Sequence, residues 1–394
     1  MKDRNFVYMD FAATSAIRPP EVGRAVAEFL EGCGATPGRG GHRLAVDAAR
    51  TALRCRMALA RLVAIPGDPG RISFMLNATH ALNTALWGVL GHGDAVVITA
   101  YDHNAVLRPT HYLSRERNVD VRMLPGAPDG SIDLEHARQQ LQGAKLIVIN
   151  AASNLLGTLL PIRELTKLAH EAGALVLIDA AQAAGHVPMN VAADEFDIVA
   201  FTGHKGLLGP QGTGALWVRE GLDIEPLLTG GTGGDSTQRP MPPAFPDRLE
   251  AGTPNAPGIA GLLAGIEWVA KRGVAELHDH GSALKARLYD GLSSISGVRL
   301  LSPPAPEGVA LVTLVPVSMD VPTFATRLDR DFGVLIRAGI HCAPEAHKVL
   351  GSMKTGAVRF SLGWCTTEED VDYAIESVAR VVDAGTVVPV TSGN

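Results

Sequence analysis

The sequence predicts an α/β protein: a mostly parallel sheet with helices on both faces, followed by a smaller α/β unit toward the C-terminal end. Three observations carry this. From about residue 50 to 220, short β-branched runs alternate with helical patterns. The longest apolar runs, such as "AKLIVIN" and "ALVLID", are strand-sized. Over the last hundred residues strands and helices alternate again, on a smaller scale. Such alternation builds parallel sheets covered on both faces, in which ligands bind beyond the carboxyl ends of the strands.

Taken in order, "RISFML", "DAVVITA", "KLIVIN", "ALVLIDA", "FDIVAFTG" and "GALWV" read as strands. Between them "THALNTALWGVL" and "PIRELTKLAHEAG" read as helices, the second with a glycine stop. Residues 229–257 are dense in Gly and Pro and have no periodicity. They read as a linker, or as a loop suited to lie near a phosphate. A long helical region follows from about 258 to 295. Strands "GVALVTLVP", "GVLIRAG" and "AVRFSLG" then alternate with helices "VPTFATRLDRDF" and "TEEDVDYAIESVARVV". The expected organisation is an N-terminal segment, 1–20, packing on the small domain or the site. A large domain spans 21–257, and 258–394 holds a helical connection and the small domain.

The chain has 394 residues, enough for two domains, and a 46% hydrophobic content supports a sizeable core. Its net charge of −6 and lack of a basic run argue against nucleic-acid binding. The N-terminus "MKDRNFVYMDFAATSA" has no long apolar region, so no secretory signal is expected, and the longest apolar runs fall far short of a membrane span. Four cysteines without a CxxC pair suit a reducing compartment, so a cytoplasmic protein is expected.

Chemistry-bearing residues collect where the strands end. In "FTGHKGLLGPQGTGAL", Lys205 follows an apolar strand and precedes a glycine-rich turn. A lysine there is partly desolvated, which lowers its pKa and frees a neutral amine for a Schiff base; a solvated loop lysine is the alternative. Thr202 and His204 beside it can donate to an anion. "LVLIDAAQAAGH" ends a strand in Asp179, a carboxylate that is costly to bury without a cationic partner. It reads as a helix cap or as the partner of a protonated pyridine nitrogen, with Gln182 one turn on along the same side. In "LNATHALNTAL", residues Asn77, Ala78 and Thr79 open a helix whose N-terminus suits a phosphate, and Thr79 reads equally as a plain N-cap. His103 offers a flat ring for stacking, or is a solvated loop residue. Asn154 lies beyond a further strand, as a site or a turn residue. Together they set a phosphate donor, a ring stacker, an acid and a lysine on successive strand ends.

In this order, with "RLEAGTPN" and "RAGIHCAP" downstream, these residues resemble the class V, fold-type I pyridoxal-phosphate (PLP) enzymes. Within them the chain is similar to the cysteine desulfurases, and most to the short-nucleophile-loop, selenocysteine-lyase-like subgroup. The resemblance runs from about Tyr8 to Val382. It implies PLP as cofactor, held covalently by Lys205. Asp179 would pair with the pyridine nitrogen, Gln182 would contact the phenolic oxygen, and His103 would stack on the ring and share in catalysis. Thr79, Thr202 and His204 would hold the phosphate. Thr253 would reach the same phosphate from the second subunit of a homodimer. Arg359 would clamp the substrate carboxylate as a bidentate partner, helped by Asn154; without the resemblance it reads as a surface arginine on a strand. His80 and Leu208 depart from the pattern, standing where an acid and a tyrosine are common.

Cys342 of "RAGIHCAPEAH" remains. Zinc needs three or four ligands at compatible spacing. His341, Cys342 and His347 are the only local candidates, so no metal is expected. Cys33, Cys55 and Cys365 read as buried filler. Cys342 lies in a polar loop downstream of Arg337, and cationic surroundings stabilise the reactive thiolate. It reads as a nucleophile. The expected reaction converts L-cysteine to L-alanine, with a persulfide on Cys342 passed to a sulfur-acceptor protein. Alternatives are a selenocysteine lyase, a cysteine sulfinate desulfinase, a class V aminotransferase and a non-enzymatic sulfur-relay scaffold.

Overall fold

A computed structural model describes residues 6–38, 40–233, 237–304 and 308–386; parts of the expected N-terminal segment, the Gly/Pro-rich loop and the small domain lie outside them. In chain order the strands are β1 (Val7–Tyr8), β2 (Ile72–Met75), β3 (Ala95–Thr99), β4 (Asp120–Leu124), β5 (Leu146–Asn150), β6 (Leu175–Asp179) and β7 (Ile198–Thr202). They continue with β8 (Gly214–Val218), β9 (Val298–Leu300), β10 (Leu311–Pro316), β11 (Val334–Leu335), β12 (Arg337–Gly339) and β13 (Ala357–Ser361). The helices are α1 (Pro20–Glu28), α2 (Arg43–Leu62), α3 (Ala78–Val89), α4 (Asn104–Arg117), α5 (Leu134–Gln140) and α6 (Ile162–Glu171). After them come α7 (Ala256–Arg272), α8 (Val274–Ser293), α9 (Val321–Phe332), α10 (Pro344–Val349) and α11 (Glu368–Thr386).

Seven strands form the central sheet, in the order β2-β8-β7-β6-β5-β3-β4. The neighbours from β7 through β4 run parallel, and β8 alone opposes both of its neighbours. Every residue of β3, β5, β7 and β8 is buried. Strand pleating sends alternate side chains to opposite faces. In β5, Ile147 and Ile149 therefore enter one core with α2, α6 and α7, while Leu146 and Val148 enter another with α3 and α4. The α/β reading with helices on both faces describes this sheet.

A smaller antiparallel sheet, β12-β13-β10-β9, packs with α8, α9 and α11 around Val312, Leu314, Phe324 and Phe360. The N-terminal strand β1 pairs with β11. The helical region expected over 258–295 is two helices, interrupted at Gly273, whose φ of 90° suits glycine. β4 escapes the sequence reading because "DVRML" is a half-exposed edge strand without a clean apolar period. "GVLIRAG" holds two short strands in different sheets, not one. Among the described residues no helix is long and apolar enough to cross a membrane.

The Gly/Pro-rich loop is anchored at its end by charge. Glu250 Oε1 accepts from Arg56 Nη2 and from the Phe74 amide, each at 2.6 Å, while Arg56 Nε donates to Ile72 O at 2.8 Å. This mostly buried pair ties α2, the edge strand β2 and the loop together. Removing one partner leaves the other charge buried and unpaired, so Glu250→Ala should cost roughly 3 kcal/mol. Denaturant unfolding of the two proteins measures the difference; a change below about 0.5 kcal/mol, the range of ordinary surface substitutions, would count against the anchor.

Candidate active site

Five strands of the large sheet, the neighbours β7, β6, β5 and β3 together with the edge strand β2, lead into a cavity of about 240 Å³. The start of α3, after β2, brings Thr79, the loop after β3 brings His103, and that after β5 brings Asn154. β6 ends in Asp179 with Gln182 just beyond, and β7 ends in Thr202, followed by His204 and Lys205. Arg337 and Arg359 close the cavity from the small sheet.

At the start of α3, Asn77 Oδ1 accepts from the His80 amide at 3.0 Å. Asn77 is thus the N-cap, and the capping role considered for Thr79 falls away. Thr79 sits in the first helical turn, where amides lack intrahelical partners and attract anions. His103 caps α4, its Nδ1 accepting from the Ala105 amide at 3.0 Å. That bond makes Nδ1 an acceptor and leaves the proton of the neutral ring on Nε2. Burial, reinforced by Lys205, pushes the His103 pKa down to about 4, so the ring is uncharged at neutral pH.

Asp179 is almost fully buried, and its Oδ1 accepts from the Ala181 amide at 2.9 Å. A turn follows it, not the helix considered from sequence, so the carboxylate caps nothing regular. Burial raises its pKa, opposed by the Ala181 bond and by Lys205. The Lys205 ammonium is pushed down to about 8, chiefly by desolvation. Arg359 and Arg337 push it the same way, whereas Asp179 holds it up. Lys205 is half-buried and lines the cavity, which disposes of the solvated-loop alternative. The turns carrying Asp179 and Lys205 touch backbone to backbone. A Cβ on Gly185 (φ 82°) would collide with the carbonyl of Gly206.

Arg359 is wholly buried, not a surface arginine. Its Nη1 donates to Asn154 O at 2.8 Å and its Nη2 to Asp10 Oδ1 at 3.0 Å. Asn154 Nδ2 in turn donates to His341 O at 2.6 Å. Arg337 stands directly across β12 and β13 from Arg359, and its Nη2 lies 3.7 Å from Cys342 Sγ. His341 and Cys342 both have left-handed backbones, φ 52° and 57°. The pair is held by Asn154 at the His341 carbonyl, by the Asn104 amide at the Cys342 carbonyl (2.8 Å), and by the His341 ring, which bonds Arg337 O and stacks on His347.

Thr253 is the exception. It is exposed and lines a separate hollow of about 200 Å³ with His80, not the cavity of its own chain. Leu208 stays out of the cavity as well. Of the other cysteines only Cys55 is fully buried; Cys33 and Cys365 are half-buried. Burial raises the Cys55 thiol to about 12, which keeps it inert. Among the described residues no group of three or more His, Cys, Asp or Glu side chains could hold a metal ion. Asp10 was missed from sequence, although a lone acid in the apolar stretch "FVYMDFAA" is the signal that marks it.

The sequence pattern of the aminotransferase class-V family matches residues 7–374. The chain belongs to that family. It is 34% identical to a probable cysteine desulfurase of Methanothermobacter thermautotrophicus, over 97% of this chain and 96% of the relative. Among solved structures, the apo cysteine desulfurase of Thermococcus onnurineus superposes with a TM-score of 0.89 at 30% identity, covering 96% and 95% of the two chains. A cysteine desulfurase of Escherichia coli gives 0.86 at 27%, with the same coverage.

Class-V aminotransferases and cysteine desulfurases use PLP, and the cavity offers groups that fit it. Thr202 Oγ1, His204 Nδ1, Asn154 Oδ1 and Arg359 Nε are shielded from water and find no hydrogen-bond partner among the described residues. Such orphans are rare in folded proteins and suit a polar ligand. In this class-V chain the lysine should titrate near 8 without its cofactor. Arg337→Gln removes a positive charge that disfavours the ammonium, so the Lys205 pKa should rise. The pH dependence of amine acylation at Lys205, followed by mass spectrometry on cofactor-free protein, measures both. An unchanged or lower midpoint in the variant would show that Arg337 does not act on the amine.

Proposed function

We propose that this chain is a PLP-dependent cysteine desulfurase, a cytoplasmic homodimer that converts L-cysteine to L-alanine and leaves the sulfur as a persulfide on Cys342. The observation that carries the reading is the meeting of Lys205, Asp179 and Arg359 around one cavity, with the Cys342 thiol beside Arg337 next to it. The relatives named as cysteine desulfurases support it. In this reading residues 21–257 are the cofactor-binding domain, 258–394 hold the small domain with the nucleophile and the carboxylate clamp, and the N-terminal segment, described from residue 6, packs on the small domain or the site.

When bound, PLP supplies an electron sink conjugated to the substrate Cα. Thr79, Thr202 and His204 would hold its phosphate, and Thr253 would join them from the partner subunit. Lys205 would anchor the cofactor, and Asp179 would keep a proton on the ring nitrogen. His103 would lie flat against the ring. Gln182 donates one amide hydrogen to Ala12 O at 3.0 Å and keeps another for the phenolic oxygen.

The residues of the chain divide the remaining work. Arg359 binds the substrate carboxylate through N–H groups not taken by Asp10 and Asn154, and Asn154 Oδ1 is free to accept from the substrate. Lys205, whose amine is partly neutral near pH 8, takes the Cα proton onto Nζ. Cys342 Sγ, as thiolate, attacks the substrate sulfur. A sulfur–sulfur bond forms, the Cβ–S bond breaks, and its electron pair stays with the carbon skeleton that becomes alanine. The nucleophile loop spans only residues 340–343 between β12 and α10, and the Asn104 amide holds the Cys342 carbonyl. A sulfur-acceptor protein must therefore come to the thiol.

A selenocysteine lyase, a sulfinate desulfinase or an aminotransferase would use the same cofactor residues. The strained, multiply anchored backbone at Cys342 favours the desulfurase, which alone needs a nucleophile on sulfur. Cys342→Ala should keep the cofactor spectrum and lower sulfide release from cysteine by about two orders of magnitude or more. Selenocysteine turnover should survive better, because selenium leaves more easily. Trapping with cysteine should put the persulfide on Cys342 and not on Cys33, Cys55 or Cys365; a persulfide elsewhere with normal turnover defeats the assignment.

The shared site makes its own demand. Mixing inactive Lys205→Ala protein with an inactive Thr253→Ala protein should restore about a quarter of the native activity if sites are built across subunits, by random pairing of halves. Full activity in a monomer would rule the arrangement out.

A further inference from the structure

Arg359 is a buried cation that already has a carboxylate partner, and the partner comes from the other end of the chain. Asp10 Oδ1 accepts from Arg359 Nη2 at 3.0 Å, and Asp10 itself does not line the cavity. It stands behind the clamp. The Asp10 backbone is fixed by a bridge to Ser361 and by the Tyr8 hydroxyl, which donates to the Asp10 carbonyl at 3.0 Å. These anchors keep the carboxylate within reach of the guanidinium. Among the described residues around the substrate space stand three cations, Arg337, Arg359 and the partly charged Lys205, against two acids, Asp179 and, behind Arg359, Asp10.

We propose that Asp10 is a specificity-determining positioning residue: by offsetting the charge of Arg359 from behind, it biases the site toward amino acids whose only anionic group is the α-carboxylate. This rests on the desulfurase reading and adds a substrate preference to it. L-Cysteine, with a mostly neutral thiol, meets a clamp strong enough for one carboxylate. An amino acid with a second anion on Cβ, such as L-cysteine sulfinate, needs further positive potential, and Asp10 removes it. Substituents of opposite charge a few ångströms from a semi-buried group change binding by about tenfold or more at an effective dielectric near 20. The effect is electrostatic, so it depends on the charge at residue 10 and not on the hydrogen bond. Asparagine keeps an oxygen for Arg359 Nη2 and loses the charge, whereas glutamate keeps the charge.

Alanine formation from L-cysteine and from L-cysteine sulfinate by the holoenzyme reads this directly. In Asp10→Asn the ratio of kcat/KM for sulfinate over cysteine should rise about tenfold, mostly through KM, and Asp10→Glu should return it toward the native value. A role confined to holding Arg359 in place would lower both substrates together, because both use the same carboxylate clamp, and the ratio would stay put. Binding of L-aspartate against L-alanine, followed by the cofactor spectrum, should shift in the same direction without turnover and serves if either variant is slow. An unchanged ratio in both measurements overturns the proposal while leaving the desulfurase reading intact. No alanine from either substrate in the native holoenzyme overturns the desulfurase reading and this preference with it.

Discussion

Residues 8–15 form the strap on which the cavity depends. At one end it is stitched to β11 and to β13 of the small sheet: Met9 N donates to Leu335 O, Ser361 N to Met9 O, and Ala12 N to Ser361 Oγ. Toward the other it is stitched to the large sheet. Gln182 donates to Ala12 O, Ser15 N donates to His204 O, and Ser15 Oγ donates to Lys205 O. Arg359 belongs to the small sheet and Lys205 to a loop of the large one. Backbone hydrogen bonds are short-ranged and directional, so the strap fixes the spacing between these two groups. Asn154, bonded to both Arg359 and the loop that carries Cys342, is a second tie across the same gap.

The charges inside this frame work against one another by design of position. Arg337 and Arg359 are directly opposite across two paired strands, an arrangement that repels. The register of the sheet holds their Cα atoms opposite each other. Arg359 is held at about 10, below its usual range, by burial and by Arg337, with Asp10 pulling the other way. The same two cations help keep the Lys205 amine partly neutral. The lowered pKa of Lys205 thus comes first from burial and then from two cations more than 130 positions away in the chain.

The large sheet was legible because strands buried on both faces write continuous apolar runs, as in "KLIVIN" and "DIVAFT". Strand ends then gave Lys205, Asp179 and His103 their places, since polar side chains directly after such runs must face a ligand or a partner. Caps were less legible. Asn77 and Thr79 are both good capping residues, and only the bond to the His80 amide separates them. Asp10 carries a local signal, the lone acid in "FVYMDFAA", but its partner lies 349 residues away, so the sequence does not say what it pairs with. The burial of Arg359 was hidden for the same reason, a single charged letter inside an otherwise apolar strand. Gly273 split the long helix through a backbone angle that the periodicity of the flanking residues does not record.

The consecutive left-handed residues at 341 and 342 have a consequence for how this sequence can drift. Neither is glycine, and an L-residue in that conformation gives up roughly 1 kcal/mol or more. Glycine at either position would relax the backbone, but one replacement discards the ring that grips Arg337 and the other discards the thiol. The backbone strain at these two positions is therefore tied to the side chains that occupy them. Directed evolution of this chain toward higher melting temperature should therefore hold 341 and 342 out of the library and seek its gains elsewhere.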